Sequence, residues 1–307
     1  MPYLANIIPN DDLPIRPLTR LLAEMQTAIN AVGLRLFEGD IDRFVIFALV
    51  VREGLSGVSE PRPISAHSLS ISLNRSFETV RRHVNALIAA GYCQRVKGGV
   101  IAAPSVIERA DVNALMRLTN DVFVRFVEDF RGDHAASLPA PAPPQNAGSM
   151  AAAHTLAVGV CGAVDIMLST VESHRGIHGD WLDLTIFSTV LNANFRRYAD
   201  DGQALGRPMN ENHAVRSSVI ARVLGLSETT VRRRTSRLTQ PGRSLIQVRR
   251  GLLVSQGWMA TATAQETSAR TLENVRRVVR KAVLRGFPID TPTTAYLDGR
   301  PPFTVFE

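Results

Sequence analysis

An internal repeat is the feature that most restricts how this chain of 307 residues can fold. The segment Leu73–Leu87 aligns without gaps on Leu224–Leu238, and seven of the fifteen aligned positions are identical. The similarity continues upstream into an apolar helical stretch and downstream into a glycine-containing turn. Two copies of about 140 residues are too few and too long for a solenoid. The sequence therefore predicts a single domain that has been duplicated.

Hydrophobic periodicity predicts the same order of elements in each copy: four helices, a short β-hairpin with glycine in its turn, and a long closing helix. The predicted helices of the first copy are 18–36, 41–52, 66–72, 77–90 and 107–130. Those of the second copy are 152–173, 181–198, 215–223, 228–240 and 265–284. The predicted fold class is thus mainly α with small β-hairpins, an α+β protein.

One break in composition separates the two copies. Four prolines occur within residues 139–144, alternating at first with alanine, and such a stretch forms an extended, semi-rigid spacer. The predicted organisation follows from this break. It consists of a first domain at 1–137, a Pro/Ala-rich linker at 138–149, a second domain at 150–287 and an extended tail at 288–307.

Within each copy, two consecutive helices are predicted to be joined by a tight turn. Gly225 in the second copy and Asn74 in the first are the residue types that best tolerate a left-handed backbone. Ser227 and Ser76 follow at the position of a helix N-cap, where a serine hydroxyl accepts a hydrogen bond from a free N–H group. Each copy is therefore expected to contain a helix-turn-helix.

The second helix of each pair has an apolar side and a polar side. Three residues at i, i+4 and i+7 should face the core of each domain: Val80, Val84 and Leu87 in the first copy, and Val231, Thr235 and Leu238 in the second. The opposite side carries two consecutive arginines in each copy. These polar sides are expected to face outward.

Positive charge is concentrated in the second copy. The net charge is +7, and residues 1–138 contain equal numbers of basic and acidic residues, so the remainder carries all of it. Nine arginines and one acidic residue lie between Arg216 and Arg250. Such a cluster repels itself unless a polyanion neutralises it, which favours nucleic acid as the partner. A solvated surface and an acidic protein partner are the alternatives.

The residues expected to contact DNA lie on the outward helix sides, at the N-caps and at the hairpin turns. In the second copy they are Ser227, Thr229, Thr230, Arg232, Arg233, Ser236, Arg237, Arg249 and Arg250. In the first copy they are Ser76, Phe77, Thr79, Arg81, Arg82, Asn85 and Lys97. Because the first copy has no net charge, the second copy is expected to supply most of the affinity, and the first copy is expected either to read a different half-site or to bind no DNA.

The sequence Gly-Leu-Ser-Glu-Thr-Thr-Val-Arg-Arg at 225–233 resembles the turn and recognition helix of winged helix-turn-helix bacterial regulators, including those of MarR type. The resemblance covers about 45 residues of each copy, and the flanking helices match by pattern only. It implies a recognition helix in the major groove and a hairpin wing on its flank. Those regulators are usually homodimers of one such domain, whereas this chain carries two. The two copies are therefore expected to act as a pseudo-dimer on major grooves about 34 Å apart.

These features predict a non-enzymatic transcriptional regulator that binds double-stranded DNA. A plasmid-type replication initiator is one alternative, since such initiators also use tandem winged helices, and a winged-helix protein-interaction scaffold is another. The chain has no phosphate-binding glycine loop, nucleophile elbow or His-Glu zinc helix, so neither catalysis nor a cofactor is expected. A homodimer and a small-molecule effector stay open.

The remaining features predict a cytoplasmic protein without a membrane or metal partner. Cys93 and Cys161 fit neither a metal motif nor a disulfide framework, and the N-terminal residues lack the pattern of a signal peptide. The apolar segment 155–171 is short for a bilayer, contains two glycines and is interrupted by an aspartate, so it is interpreted as a buried helix. Histidines and carboxylates within 172–180 could bind a metal, but a polar loop is the preferred interpretation.

Overall fold

The computed structural model describes residues 15–57, 60–131, 149–201 and 208–307. The predicted linker therefore lies outside the described residues, except for its last position. Within the described residues the protein has twelve α-helices and two two-stranded antiparallel hairpins. The prediction of a mainly helical α+β fold is confirmed at this level.

Both copies contain the predicted elements in the predicted order. The first copy consists of α1 (Ile15–Leu36), α2 (Ile41–Leu55), α3 (Ala66–Leu73), α4 (Phe77–Ala89), β1 (Cys93–Val96), β2 (Gly99–Ala102), α5 (Pro104–Ile107) and α6 (Ala110–Phe130). The second consists of α7 (Ser149–Ser173), α8 (Trp181–Asp200), α9 (Ser217–Leu224), α10 (Glu228–Leu238), β3 (Leu245–Val248), β4 (Gly251–Val254), α11 (Gln256–Met259) and α12 (Ala262–Leu284). The one-turn helices α5 and α11 were not predicted, because four residues carry too little periodicity to detect.

Each hairpin pairs with one further residue from the chain before the helix-turn-helix. Ile64 exchanges two backbone hydrogen bonds with Val100, both of 3.0 Å. Val215 makes the same exchange with Leu252, at 3.0 and 2.8 Å. These bridges attach each hairpin to the rest of its motif. Because both copies make the same bridge, the repeat is visible in the backbone hydrogen bonds as well as in the sequence.

A glycine is required next to each bridge. Gly99 and Gly251 begin β2 and β4 with φ angles of 153° and 139°. A Cβ on Gly99 would lie 2.2 Å from the carbonyl oxygen of Ile64, and one on Gly251 would lie 2.3 Å from that of Val215. Because no side chain can occupy that space, these two glycines allow the close approach of the backbones.

The compact units of the molecule differ from the predicted domains. The second-repeat unit comprises Met1–Arg35, Ser169–Arg276 and Pro302–Glu307, and the first-repeat unit comprises Leu36–Leu168 and Arg277–Pro301. Helix α1 therefore belongs, up to Arg35, to the unit that contains the second motif. Helix α7 belongs, up to Leu168, to the unit that contains the first motif. By this division each compact unit combines segments from both repeats, whereas the predicted boundary at 138–149 follows the repeats of the sequence.

Helix α1 packs on α8 in the second-repeat unit through buried hydrogen bonds. The amide of Asn192 donates to Glu24 Oε2 over 2.7 Å, and the hydroxyl of Ser188 donates to Gln26 Oε1 over 2.6 Å. All four side chains are buried. A buried polar group that loses its partner costs more free energy than the bond itself contributes, so these pairs determine which side of α1 faces α8.

Helix α7 packs closely on α6 in the first-repeat unit. A Cβ on Gly159 would lie 2.0 Å from Asn120 Oδ1, and one on Gly162 would lie 2.5 Å from the ring of Phe123. The two glycines therefore mark the place where the helices approach each other. Asp165, which interrupts the apolar run, is ion-paired with Arg52 at 2.8 Å.

Among the described helices, α7 is also long and apolar enough over Ala152–Ser173 to cross a membrane, judged by length and composition alone. The prediction that this segment is too short was wrong, because the helix extends beyond the apolar run at both ends. However, 56% of its most apolar window is buried inside the protein. A buried core helix and a membrane span can share this composition. The structure adds the observation that more than half of this window is buried inside the protein.

The residues after α12 pack as mostly irregular chain with one 3-10 turn at Pro292–Ala295. In the first-repeat unit the Tyr296 side chain is buried, and its hydroxyl donates to Glu128 Oε2 over 2.5 Å. The carboxylate of Asp121 accepts the backbone N–H groups of Leu297 and Asp298 at 2.7 and 2.8 Å. The interpretation of 288–307 as an extended tail stays a prediction.

Candidate nucleic-acid interface

The tight turns between α3 and α4 and between α9 and α10 have the predicted backbone. Asn74 has φ 50° and ψ 48°, and Gly225 has φ 66° and ψ 31°, both in the left-handed region. The second turn has an additional support that the sequence did not reveal. Arg35 of α1 donates from Nη2 to the carbonyl oxygen of Val223 over 2.8 Å and packs against the open side of Gly225.

The N-caps of α4 and α10 are also confirmed. Ser76 Oγ accepts the N–H of Thr79 at 3.1 Å, and Ser227 Oγ accepts the N–H of Thr230 at 3.1 Å. In each pair the serine and threonine hydroxyls are 2.8 Å apart. These four hydroxyl groups were predicted to contact DNA, and the structure gives each a local partner that defines where the helix begins.

The two helices present the predicted sides to the protein and to solvent. The residues predicted to face the core are buried: Val80, Val84, Leu87, Val231, Thr235 and Leu238. The residues predicted to face outward are exposed: Phe77, Arg81, Arg82, Asn85, Thr229, Arg232, Arg233 and Ser236. Their position is confirmed, and their contact with DNA stays a prediction.

Equivalent contacts anchor α4 and α10 to the helix behind them. Asp40 caps α2, and its carboxylate lies 3.6 Å from Nδ1 of the buried His83. Asp180 caps α8 and is ion-paired with Arg234. His83 and Arg234 occupy the same position of the repeat. An N-cap aspartate on the supporting helix therefore positions the outward helix in both copies.

Ion pairs with α8 correct the predicted arginine cluster of α10. Asp183, whose side chain is 3% exposed, lies 2.8 Å from Arg237 Nη2 and 3.2 Å from Arg234 Nη1. Burial by itself would lower the pKa of Arg234, but the hydrogen bond and charge of Asp180 raise it, so this side chain stays ionised. Two of the four arginines are thus neutralised by carboxylates that lie far upstream in the sequence.

Arg232 and Arg233 remain exposed on α10, and neither guanidinium group makes a hydrogen bond or ion pair with another residue that the structure describes. Their backbone carbonyls accept from the hydroxyls of Thr235 and Ser236. At the turn of the β3–β4 hairpin, the exposed Arg249 lies 4.0 Å from Glu211, and Arg250 Nη1 donates to Asn212 Oδ1 over 2.7 Å. The two adjacent α10 arginines are consequently the least compensated of the predicted second-copy cations.

The first copy presents a less cationic surface. Arg81 donates two hydrogen bonds to Glu78 at 2.9 and 2.7 Å, so part of its charge is locally compensated. Asn85 Oδ1 accepts from Arg95 Nη2 at 2.5 Å. Lys97 is exposed at the turn of the β1–β2 hairpin. The outward side of α4 thus carries one compensated arginine, Arg81, and one exposed arginine, Arg82, whose side chain has no hydrogen bond or ion pair with another described residue.

The segment 172–180 has no ligand cluster. In the described part of the chain, no group of three His, Cys, Asp or Glu residues is arranged to hold a metal ion. The ring of His178 is buried, and its centroid lies 5.5 Å from that of His174 and 4.5 Å from that of Phe187, with the rings tilted in both pairs. Burial lowers the pKa of His178 to about 3. Asp180 is used by the α8 cap and by Arg234.

Comparison of the chain with protein-family models, with curated proteins and with solved structures finds no match.

Proposed function

We propose that this protein is a sequence-specific DNA-binding transcriptional regulator in which two winged helix-turn-helix units act as a pseudo-dimer on duplex DNA. In this proposal α4 and α10 are the recognition helices and the two hairpins are the wings. The observation that carries it is the pair Arg232 and Arg233, whose side chains are exposed and have no carboxylate partner. They lie on a helix that begins at a serine N-cap and is held to α8 by the ion pair of Arg234 with Asp180.

Both the charge and the position of Arg232 and Arg233 suit contact with DNA. Adjacent guanidinium groups without a carboxylate partner repel each other, and phosphate contacts relieve this repulsion while releasing counterions from DNA. Arginine also matches the acceptor pair of guanine in the major groove. Because Asp180 and Asp183 hold Arg234, the orientation of α10 is fixed before binding, and little further ordering is needed.

The test compares three double variants for duplex binding by fluorescence anisotropy at several salt concentrations. We expect Arg232→Ala/Arg233→Ala to weaken binding about 30-fold or more and to reduce the slope of log K against log salt by about 1.8, as two lost phosphate contacts imply. Arg81→Ala/Arg82→Ala should cost less, because Glu78 already compensates Arg81.

The matched control is Arg280→Ala/Arg285→Ala, which removes the same charge from the exposed Arg280 near the end of α12 and from the partly exposed Arg285 just after that helix. It should leave the salt slope nearly unchanged. An equal loss in the control would mean that only net charge matters and would overturn the proposed interface. Equal losses in the two helix variants would refute the asymmetry between the copies.

The biological site is addressed by footprinting the purified protein on the DNA upstream of its own gene. Protection of a promoter-proximal sequence supports transcriptional regulation. Protection of repeats at a replication origin and not of a promoter contradicts that role, and binding that does not respond to salt contradicts phosphate contact altogether.

A further inference from the structure

The first motif exposes apolar side chains at positions where the second motif carries charge. Phe77 is the first residue of α4 and is 51% exposed, and Ile71 near the end of α3 is 64% exposed. The equivalent residues of the second motif are Glu228 and Arg222. A single exposed apolar side chain is common on protein surfaces and needs no explanation by itself. What distinguishes Phe77 is its place at the start of the outward helix α4.

We propose that Phe77 is a specificity residue that contacts thymine 5-methyl groups in the major groove, so that the first motif selects a thymine-containing half-site. This inference rests on the proposed DNA-binding function and deepens it. The 5-methyl of thymine is the apolar group that the major groove displays, and a phenyl ring is suited to contact it and cannot hydrogen-bond to any base edge.

The position of Phe77 agrees with this role. The N-terminal residues of a recognition helix are those that reach base edges. Phe77 and Arg81 are four residues apart and therefore lie on the same side of α4. Glu78 compensates Arg81, but the adjacent Arg82 is exposed and its side chain has no hydrogen bond or ion pair with another described residue. This remaining positive charge favours DNA over an apolar protein surface as the partner of the ring.

The consequence is an operator with two different halves. The second motif has Glu228 at the position of Phe77 and a pair of uncompensated arginines, which suit guanine and phosphate. The first motif combines Phe77 with an arginine that is already bonded to Glu78. A palindromic site would place identical base pairs under unlike side chains, so a non-palindromic site is expected.

The experiment begins with selection of binding sites by the intact protein from a random duplex library. The enriched duplex is then synthesised with deoxyuridine in place of thymidine at single positions, which removes only the 5-methyl group. Under the first motif, each contacted methyl that is removed should weaken binding by the wild-type protein about fourfold, the ratio expected for one buried methyl group. Phe77→Ala should lose this sensitivity. Glu228→Ala, the variant at the equivalent position of the second motif, should keep it.

The outcomes separate this inference from the proposed function. If deoxyuridine has no effect on the wild-type protein, or the same effect on Phe77→Ala, the thymine contact is overturned while DNA binding stands. If no duplex is enriched, both fail. If Phe77→Ala abolishes self-association and leaves duplex affinity and deoxyuridine sensitivity unchanged, the ring belongs to a protein contact and the inference is also overturned. Because Phe77 is half exposed, circular dichroism should show an unchanged fold in the variant.

Discussion

Replacement of Gly251 by alanine should destabilise the second-repeat unit by about 3–5 kcal/mol. The new Cβ would lie 2.3 Å from the carbonyl oxygen of Val215, a separation that cannot be tolerated without moving the backbone. The two bridge hydrogen bonds between Val215 and Leu252 would be lost, at about 1 kcal/mol each. A side chain at a φ of 139° adds about 1–3 kcal/mol of backbone strain.

The assay is urea unfolding followed by circular dichroism, with Gly242→Ala as the matched control. Gly242 also has a positive φ, of 75°, but a Cβ there would meet nothing within 4 Å. The control should therefore lose only the backbone contribution, about 1–2 kcal/mol. If the two variants lose the same stability, the close approach at Gly251 is not what requires glycine. The Gly251→Ala variant should also bind DNA less tightly, because the turn that bears Arg249 and Arg250 is no longer held.

Two further predictions follow from buried contacts. Arg35→Ala should speed hydrogen exchange in the turn at Gly225 and lower the free energy of unfolding by about 1–2 kcal/mol, because the carbonyl of Val223 loses its donor. The control Arg20→Ala, on the same helix, should change neither quantity. Unchanged exchange in Arg35→Ala would contradict the support of this turn by α1. His178 has a pKa of about 3 when folded and near 6.5 when unfolded, so the unfolded state binds the extra proton and stability should fall as the pH falls through this interval. The variant His178→Phe should show a weaker fall in urea titrations at pH 7 and 5, and an identical fall would count against burial of the neutral ring.

The outward helices illustrate how far local sequence rules extend. The serine caps, the left-handed turn residues and the buried positions of α4 and α10 depend on neighbours within about one helical turn, so their residue types were sufficient to predict them. The charge on α10 was different. Asp180 and Asp183 compensate Arg234 and Arg237 from more than 50 residues away, and a count of charges along the segment could not include them.

The sequence alone determined three features: the repeat, the order of its helices and hairpins, and the pair of adjacent arginines on each outward helix. It could do so because periodicity and capping act over a few residues. Tertiary structure decided which helices pack together. Nothing in the apolar pattern of α1 or α7 distinguishes one repeat from the other, since an amphipathic side can pack against either. The packing partner of each helix is determined by specific contacts, such as the buried hydrogen bond between Glu24 and Asn192 and the close approach of Gly162 to Phe123. These contacts also determine which helices lie behind each outward helix.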